Sequence, residues 1–314
     1  MASPIIELRN VSEYLDKKKV LDSISLTVKD KEILGVIGPS GSGKTVLLKT
    51  IIGFYKPKQG SILYCGKNMS SRKDILKTIG FASQRNSIYY DLSPKENLYY
   101  FGRMYGMKGK EIKANCEELL KLTGLWEHRK KIAMKLSGGM QKRLDLACSL
   151  IHKPKLLILD EPISGLDPVL RENMLALIQS IRNKGTSIII SSHFMQEIEP
   201  ICNRIAIIRS GKLLAIGRTV DIVNYYSKLY EVIIRTYPGN YPILQNALIK
   251  SGIKIVQSSV GKGTLTIQVP QTSRPSSYLQ AVIKALPLAR EELLDIRLNK
   301  MSLNEVFRRI TSRK

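Results

Sequence analysis

Residues 38–45 read GPSGSGKT and follow directly on the apolar run EILGVI at 32–37. The pattern G-x-x-x-x-G-K-[ST] is that of a phosphate loop, in which glycines let the backbone curl until successive N–H groups point inward at a phosphate. The run before it reads as a buried strand, and TVLLKTIIG at 45–53 reads as a helix, so the anion falls on a helix N-terminus. Gly38, Pro39, Ser40, Gly41, Ser42 and Gly43 form the cradle, Lys44 reaches the β- and γ-phosphates, and the Thr45 hydroxyl suits Mg²⁺. This stretch predicts binding of a nucleoside triphosphate on an α/β sheet.

The composition sets the outer limits. A chain of 314 residues, 43% hydrophobic and 24% charged, is long enough for one large globular domain and a small one. No apolar stretch approaches the roughly 20 residues a membrane helix needs. The start, MASPIIELRN, lacks the basic and apolar regions of a signal peptide, which points to the cytoplasm. Cys65, Cys116, Cys148 and Cys202 are scattered and form no C-x-x-C pair, so reduced thiols are expected. The formal charge of +24 would suit an anionic partner, but its lysines run the whole length of the chain. Residues 228–314 hold 14 basic and 5 acidic side chains and the remainder 36 and 21, so neither part is a basic tail. A lysine-rich surface accounts for the charge, and no specific nucleic acid is expected.

Downstream, KLLILDEP at 155–162 reads as a central parallel strand with Asp160 and Glu161 at its carboxyl end, where ligands of open α/β sheets gather. Asp160 suits the Mg²⁺ shell, and Glu161 can accept a proton from an attacking water. Between the two motifs, LSGGMQKR at 136–143 opens a helix on Ser137, Gly138 and Gly139, whose bare N–H groups make a second anion site. One triphosphate does not need two cradles in one subunit. A head-to-tail dimer resolves this, with Ser137 and Gly139 of one subunit closing on the γ-phosphate held by Lys44 of the other.

With that element the sequence resembles the ABC-type ATPases, whose signature is an LSGGQ-like segment ahead of the acidic strand end. Here Met140 takes the fifth position and Gln141 follows, a variant similar to that of prokaryotic export ATPases. The resemblance spans about residues 5–220 and implies an α/β phosphate-loop NTPase cassette. Its parts are a core sheet with helices, an antiparallel N-terminal subdomain and a helical signature subdomain. It also implies roles for residues outside the two cradles. Tyr14 matches the aromatic that stacks on adenine, a core or surface tyrosine being the other reading. Gln84 matches the glutamine that reaches Mg²⁺ and water and borders a docking surface. Residues 164–167, SGLD, match the loop crossing the dimer interface and bring Asp167 to the nucleotide. His193 matches the histidine that contacts the γ-phosphate. Three positions depart from the pattern. Val46 replaces a second hydroxyl after the phosphate loop and leaves only its backbone N–H for the nucleotide, Lys31 replaces a glycine, and Ile163 replaces a threonine.

The resemblance further implies the motor subunit of a transporter, binding and hydrolysing ATP with Mg²⁺. Leu136 follows Gln84 by only 52 positions, which leaves no room for the long coiled coil of chromosome-associated relatives. A single cassette without its own span suits docking on a separate transmembrane permease, at the cytoplasmic face of the membrane. The second cassette is another copy or a paralogue. SPKE at 93–96 is a capping box with proline at the first helical position, and the turn before it, rich in tyrosine, matches the docking groove. A buried aromatic cluster is the alternative there. Residues 228–314 read β-α-β-β-α-β with a last helix from SLNEVFRRI, a small α+β ferredoxin-like domain after a cassette at 1–227. The ending MSLNEVFRRIT resembles the tail of exporter ATPases. The rival reading is a soluble ATPase of the same family acting on nucleic acid or the ribosome.

Overall fold

The computed structural model describes residues 4–69, 71–226, 229–261, 263–272 and 274–300. The chain divides into two compact units, Met1–Arg218 and Thr219–Lys314. The expected boundary at 227/228 lies nine positions further on, after the helix that opens the second unit.

In the first unit the hydrophobic pattern changes with the job of each strand. β1 (Ile6–Leu15), β2 (Lys18–Val28), β4 (Gln59–Tyr64) and β5 (Lys67–Asn68) form an antiparallel sheet in the order β2-β1-β4-β5. Along β1 and β2 buried residues are interspersed with exposed ones, as expected of a sheet with one wet face. The second sheet runs β10-β9-β3-β8-β7-β6, from β3 (Ile33–Ile37), β6 (Ile79–Ala82), β7 (Leu156–Asp160), β8 (Ser187–Ser192), β9 (Arg204–Arg209) and β10 (Lys212–Gly217). All its neighbours are parallel except β9 and β10. Every residue of β3, β7 and β8 is buried, which explains the apolar runs of β3 and β7 and the central Ile188–Ile190 of β8.

Helix α1 (Lys44–Ile51) packs between the sheets, and Leu47, Leu48 and Ile51 join a core with Ile6, Leu8, Leu34, Ile158 and Ile189. α2 (Arg72–Thr78) leads into β6. α3 (Pro94–Met104) packs on α4 (Gly109–Leu122) and on α5 (Gly138–Leu150), giving a helical subdomain ahead of β7. α6 (Pro168–Asn183) and the short α7 (Met195–Ile198) complete the unit. The expected capping box is present. Ser93 N donates to Glu96 Oε2 at 2.8 Å, and the Ser93 hydroxyl accepts from Glu96 N at 3.3 Å. Among the described residues no helix is long and apolar enough to cross a membrane.

The second unit holds α8 (Thr219–Tyr226), β11 (Leu229–Tyr237), α9 (Tyr241–Lys250), β12 (Gln257–Gly261), β13 (Thr264–Pro270), α10 (Ser276–Ala289) and β14 (Glu292–Lys300). Its sheet is antiparallel throughout, in the order β12-β13-β11-β14, which is the ferredoxin-like arrangement of a split β-α-β unit. Val232, Ile234, Leu244, Leu248, Ile267 and Val282 fill the core between sheet and helices. The helix expected from SLNEVFRRI lies outside the described residues.

Two of the sequence departures have structural accounts. Ile163 is buried, so an apolar side chain gains there what a threonine would lose. Lys31 has φ +55°, a left-handed conformation that suits glycine. Lys31→Gly should therefore raise stability by about 0.5–1 kcal/mol, net of the extra freedom glycine gives the unfolded chain. A melting temperature higher by about 1–3 °C is the expected reading, and an unchanged or lower one would rule out the strain.

Candidate active site

Strand register assembles the site. Ile37 pairs with Ser192 across β3 and β8, and Asp160 pairs with Ser191 across β7 and β8. The next residues of the three strands, Gly38, Glu161 and His193, therefore leave one sheet edge side by side, at the carboxyl ends where α/β ligands bind.

The phosphate loop is shaped for an anion. Gly41 and Gly43 have φ +76° and +103°, and a Cβ on Gly38 would stand 2.2 Å from Ile208 O. The Ser42 hydroxyl is buried and, among the described residues, has no hydrogen-bond partner. Lys44 is buried at the mouth, where its ammonium donates to Gly38 O at 2.8 Å and Pro39 O at 3.3 Å. Burial pulls the Lys44 pKa down, while Glu161 and Asp160 pull it back up. Val46 turns its side chain against the core, and its carbonyl accepts from the Thr50 hydroxyl at 2.8 Å.

Around this loop stand the acidic pair and the histidine. The Thr45 hydroxyl donates to Asp160 Oδ2 at 2.8 Å. Lys44 Nζ lies 3.6 Å from Glu161 Oε1, and His193 Nδ1 lies 2.8 Å from Glu161 Oε2. Glu161 itself has φ +53°, a strained backbone for an acidic residue and one that turns its carboxylate back toward Lys44 and His193. Ser191 holds this corner together. Its hydroxyl donates to Asp160 Oδ1 at 2.6 Å and accepts from Glu161 N at 3.0 Å. The Ser192 hydroxyl accepts from Phe194 N at 2.9 Å and closes the turn that carries His193.

The remaining expected residues sit on separate elements. Tyr14 is half-buried on β1 opposite Lys19, whose ammonium lies 6.0 Å from its ring. The next residue, Val20, brings its carbonyl to 3.1 Å from where a Cβ on Gly43 would stand, so the β1–β2 hairpin borders the loop. Gln84 is exposed, two residues beyond Ala82, which pairs with Leu159. Ser137 caps α5, its hydroxyl accepting from Met140 N at 3.3 Å. Gly138 is exposed and Gly139 buried, and Met140 is half-buried in the first turn. The Gln141 amide is turned away from that N-terminus, donating to Ala133 O at 3.1 Å and Leu136 O at 3.3 Å. Asp167 caps α6, accepting from Leu170 N at 2.9 Å. Lys44, Thr45, Asp160, Glu161 and His193 are thus joined directly, whereas the Ser137 and Asp167 caps bond within their own helices.

Four polar residues at or beside the site escaped the sequence reading: Ser191, Asn97, Lys142 and Asp145. Each carried a faint signal, a polar side chain inside an apolar run or on the buried side of a helix. Asn97 is buried and grips the aromatic turn, accepting from Tyr89 N at 2.8 Å and donating to Tyr89 O at 2.9 Å. That turn is not a buried cluster. Tyr89, Tyr90 and Tyr100 are 43%, 38% and 43% exposed, with Tyr89 and Tyr100 edge to face at 4.4 Å.

The family model described as "ABC transporter" matches residues 21–164, and one described as "AAA domain, putative AbiEii toxin, Type IV TA system" matches 132–198. Linearmycin resistance ATP-binding protein LnrL of Bacillus subtilis (strain 168) is 35% identical over 222 residues, covering 69% of this chain and 70% of its own. Nod factor export ATP-binding protein I of Sinorhizobium fredii (strain NBRC 101917 / NGR234) is 34% identical over 236 residues, 75% and 68% of the two chains. A solved structure described as the ATP binding subunit of an ABC transporter aligns with TM-score 0.65 at 26% identity, over 71% of this chain and 93% of that one. The cbiO1 protein of Clostridium perfringens, at 24% identity and TM-score 0.66 over 79% and 96%, shares the fold. Identity at this level over this span is a family relationship, and the chain belongs to the ATP-binding proteins of ABC transporters.

Proposed function

We propose that this protein is the ATP-hydrolysing motor of an ABC exporter, working as a cassette pair beneath a separate transmembrane permease. The observation that carries the reading is the joined set of Lys44, Thr45, Asp160, Glu161 and His193 at one sheet edge. A triphosphate fits the loop: the buried Ser42 hydroxyl, without a partner among the described residues, and the Lys44 ammonium both offer donors to phosphate oxygens. Mg²⁺ fits beside it. Among the described residues no cluster of three or more His, Cys, Asp or Glu side chains stands ready for a metal. The Thr45 hydroxyl and the Asp160 carboxylate would hold the ion, with Gln84 as a further ligand, which suits a cation usually bound through one or two carboxylates and substrate phosphates. When bound, Mg²⁺ supplies charge neutralisation at the phosphate oxygens.

The chain's own residues do the rest. Glu161 orients the attacking water and accepts its proton, held by His193 and by its constrained backbone. Lys44 leaves the carbonyls of Gly38 and Pro39 for the β- and γ-phosphates and carries the charge that develops there. His193 bridges Glu161 and the γ-phosphate. Tyr14 stacks on the adenine, and the Val46 N–H reaches the α-phosphate. Ser137, Gly138, Gly139 and Met140 at the α5 N-terminus, with Gln141 behind them and Asp167 beside them, close on the nucleotide of the partner cassette. Closure is a population shift toward the paired state, driven by the greater affinity of ATP for it. The relatives named for Nod factor export and linearmycin resistance support an exporter.

Docking falls to the exposed aromatic turn. Aromatic residues at a desolvated interface contribute about 2 kcal/mol or more, so Tyr89→Ala with Tyr90→Ala should weaken membrane association by about 30-fold. ATP turnover of the isolated chain should stay within about twofold, because neither ring is among the residues assigned to the nucleotide. Melting temperature, turnover and membrane pelleting are measured on one preparation. A destabilised, inactive protein would contradict the docking role. A wild-type chain that stays soluble and leaves nucleic acid in proportion to rising salt would contradict the transporter reading.

A further inference from the structure

Two charged residues on α5 are partly or fully withdrawn from water and belong to no assigned role. Lys142 and Asp145 are one helical turn apart on the same face. Lys142 sends its ammonium to Ser164 O at 2.5 Å and Pro162 O at 3.4 Å, in the loop that runs from Glu161 to Asp167. Asp145 is buried, and its carboxylate accepts from Ser87 N at 2.8 Å, in the segment that follows Gln84. Both side chains line one water-sized cavity of about 20 Å³ together with Ser83, Asn86, Pro162 and Met174. Both loops and the helix therefore meet at a single point. Withdrawing charge from water costs free energy, and here backbone groups of two functional loops offset it, together with the attraction between Lys142 and Asp145 and the pull of Glu161 on Lys142.

We propose that Lys142 and Asp145 are positioning residues, which fasten the Gln84 loop and the Glu161–Asp167 loop to the helix headed by Ser137. The three segments then move as one body. The inference rests on the composite-site reading above and adds to it the link between the docking side and the closing side. Tyr89 and Tyr90 continue the segment held by Asp145, while Asp167 ends the segment held by Lys142. A push on the aromatic turn is carried through α5 to the groups that close on the partner's nucleotide.

The link makes a kinetic demand that a merely structural residue would not. Among the described residues Lys142 bonds Pro162 O and Ser164 O and not the 38–45 loop, so its loss should spare nucleotide capture and impair closure. Lys142→Met keeps the unbranched stem, one atom shorter, and removes the donor. We expect kcat for ATP hydrolysis to fall about tenfold or more, the loss of a charge-assisted bond, with KM for ATP changed by less than about threefold. Lys142→Arg, which can reach both carbonyls, should restore kcat to within about threefold of the parent. Asp145→Asn keeps an acceptor oxygen and should behave as the parent, whereas Asp145→Leu should behave as Lys142→Met. The clamp is overturned by a folded Lys142→Met with kcat within twofold of the parent. It is equally overturned by a proportional rise in KM, or by no rescue with arginine. Should the variants not fold, hydrogen exchange on the intact parent decides. Adding ATP with Mg²⁺ should change protection at 83–92 and 162–167 together, and a change in one alone or in neither overturns the clamp. A parent that binds ATP without hydrolysing it sinks the hydrolysis reading alone, because the exchange comparison still judges the clamp.

Discussion

Replacing Lys44 with alanine should bring ATP hydrolysis down to the assay background. The ammonium stands 2.8 Å from Gly38 O, where it is placed to follow charge as the terminal phosphate leaves. Removal of one preorganised donor typically costs 10²–10³ in kcat, or about 2.7–4 kcal/mol, and here the donor also carries a full charge. The fold should persist. Glu161 loses its ion pair at 3.6 Å but keeps His193 at 2.8 Å, so its buried carboxylate is not left unpartnered. Phosphate release and thermal melting on the same sample check both halves. A variant that melts normally and turns over ATP at more than about a tenth of the parent rate contradicts the role of Lys44.

The second large effect belongs to Glu161. Glutamine preserves the shape of the side chain and can still bond His193, yet it cannot take a proton. Loss of a general base costs about 10²–10⁴ in rate, so Glu161→Gln should bind ATP and hold it uncleaved. The readout is labelled ATP recovered intact after desalting of the variant, against ADP from the parent under the same conditions. Substantial ADP from the variant, with turnover within about tenfold of the parent, would move the base elsewhere.

How much of this could be read from residues alone follows from what local sequence encodes. The phosphate loop was legible because glycine spacing, a threonine hydroxyl and a lysine are needed in a fixed order within eight positions. The acidic pair was legible because an apolar strand ending in two carboxylates has few structural uses. The capping box at Ser93 was legible because its two hydrogen bonds are local. Ser191 was not, since its value lies in a register that places it beside Asp160 on a strand 31 positions away. Asp145 was not, because its partner is a backbone N–H 58 positions earlier, with no sequence mark of its own. The boundary between the units fell early because α8 has both apolar and polar residues and reads equally well as the end of one domain or the start of the next. Lys31 shows the converse. A departure from the family pattern was visible, but the left-handed backbone that gives it a cost was not.

The central claim is that ATP holds two cassettes together through a site neither completes alone. Light scattering on Glu161→Gln tests it directly. With ATP and Mg²⁺ the variant should elute at about twice the 35.3 kDa of one chain, and with ADP or with Lys44→Ala added it should return to a single chain. A variant that binds ATP tightly and still scatters as one chain would contradict the claim.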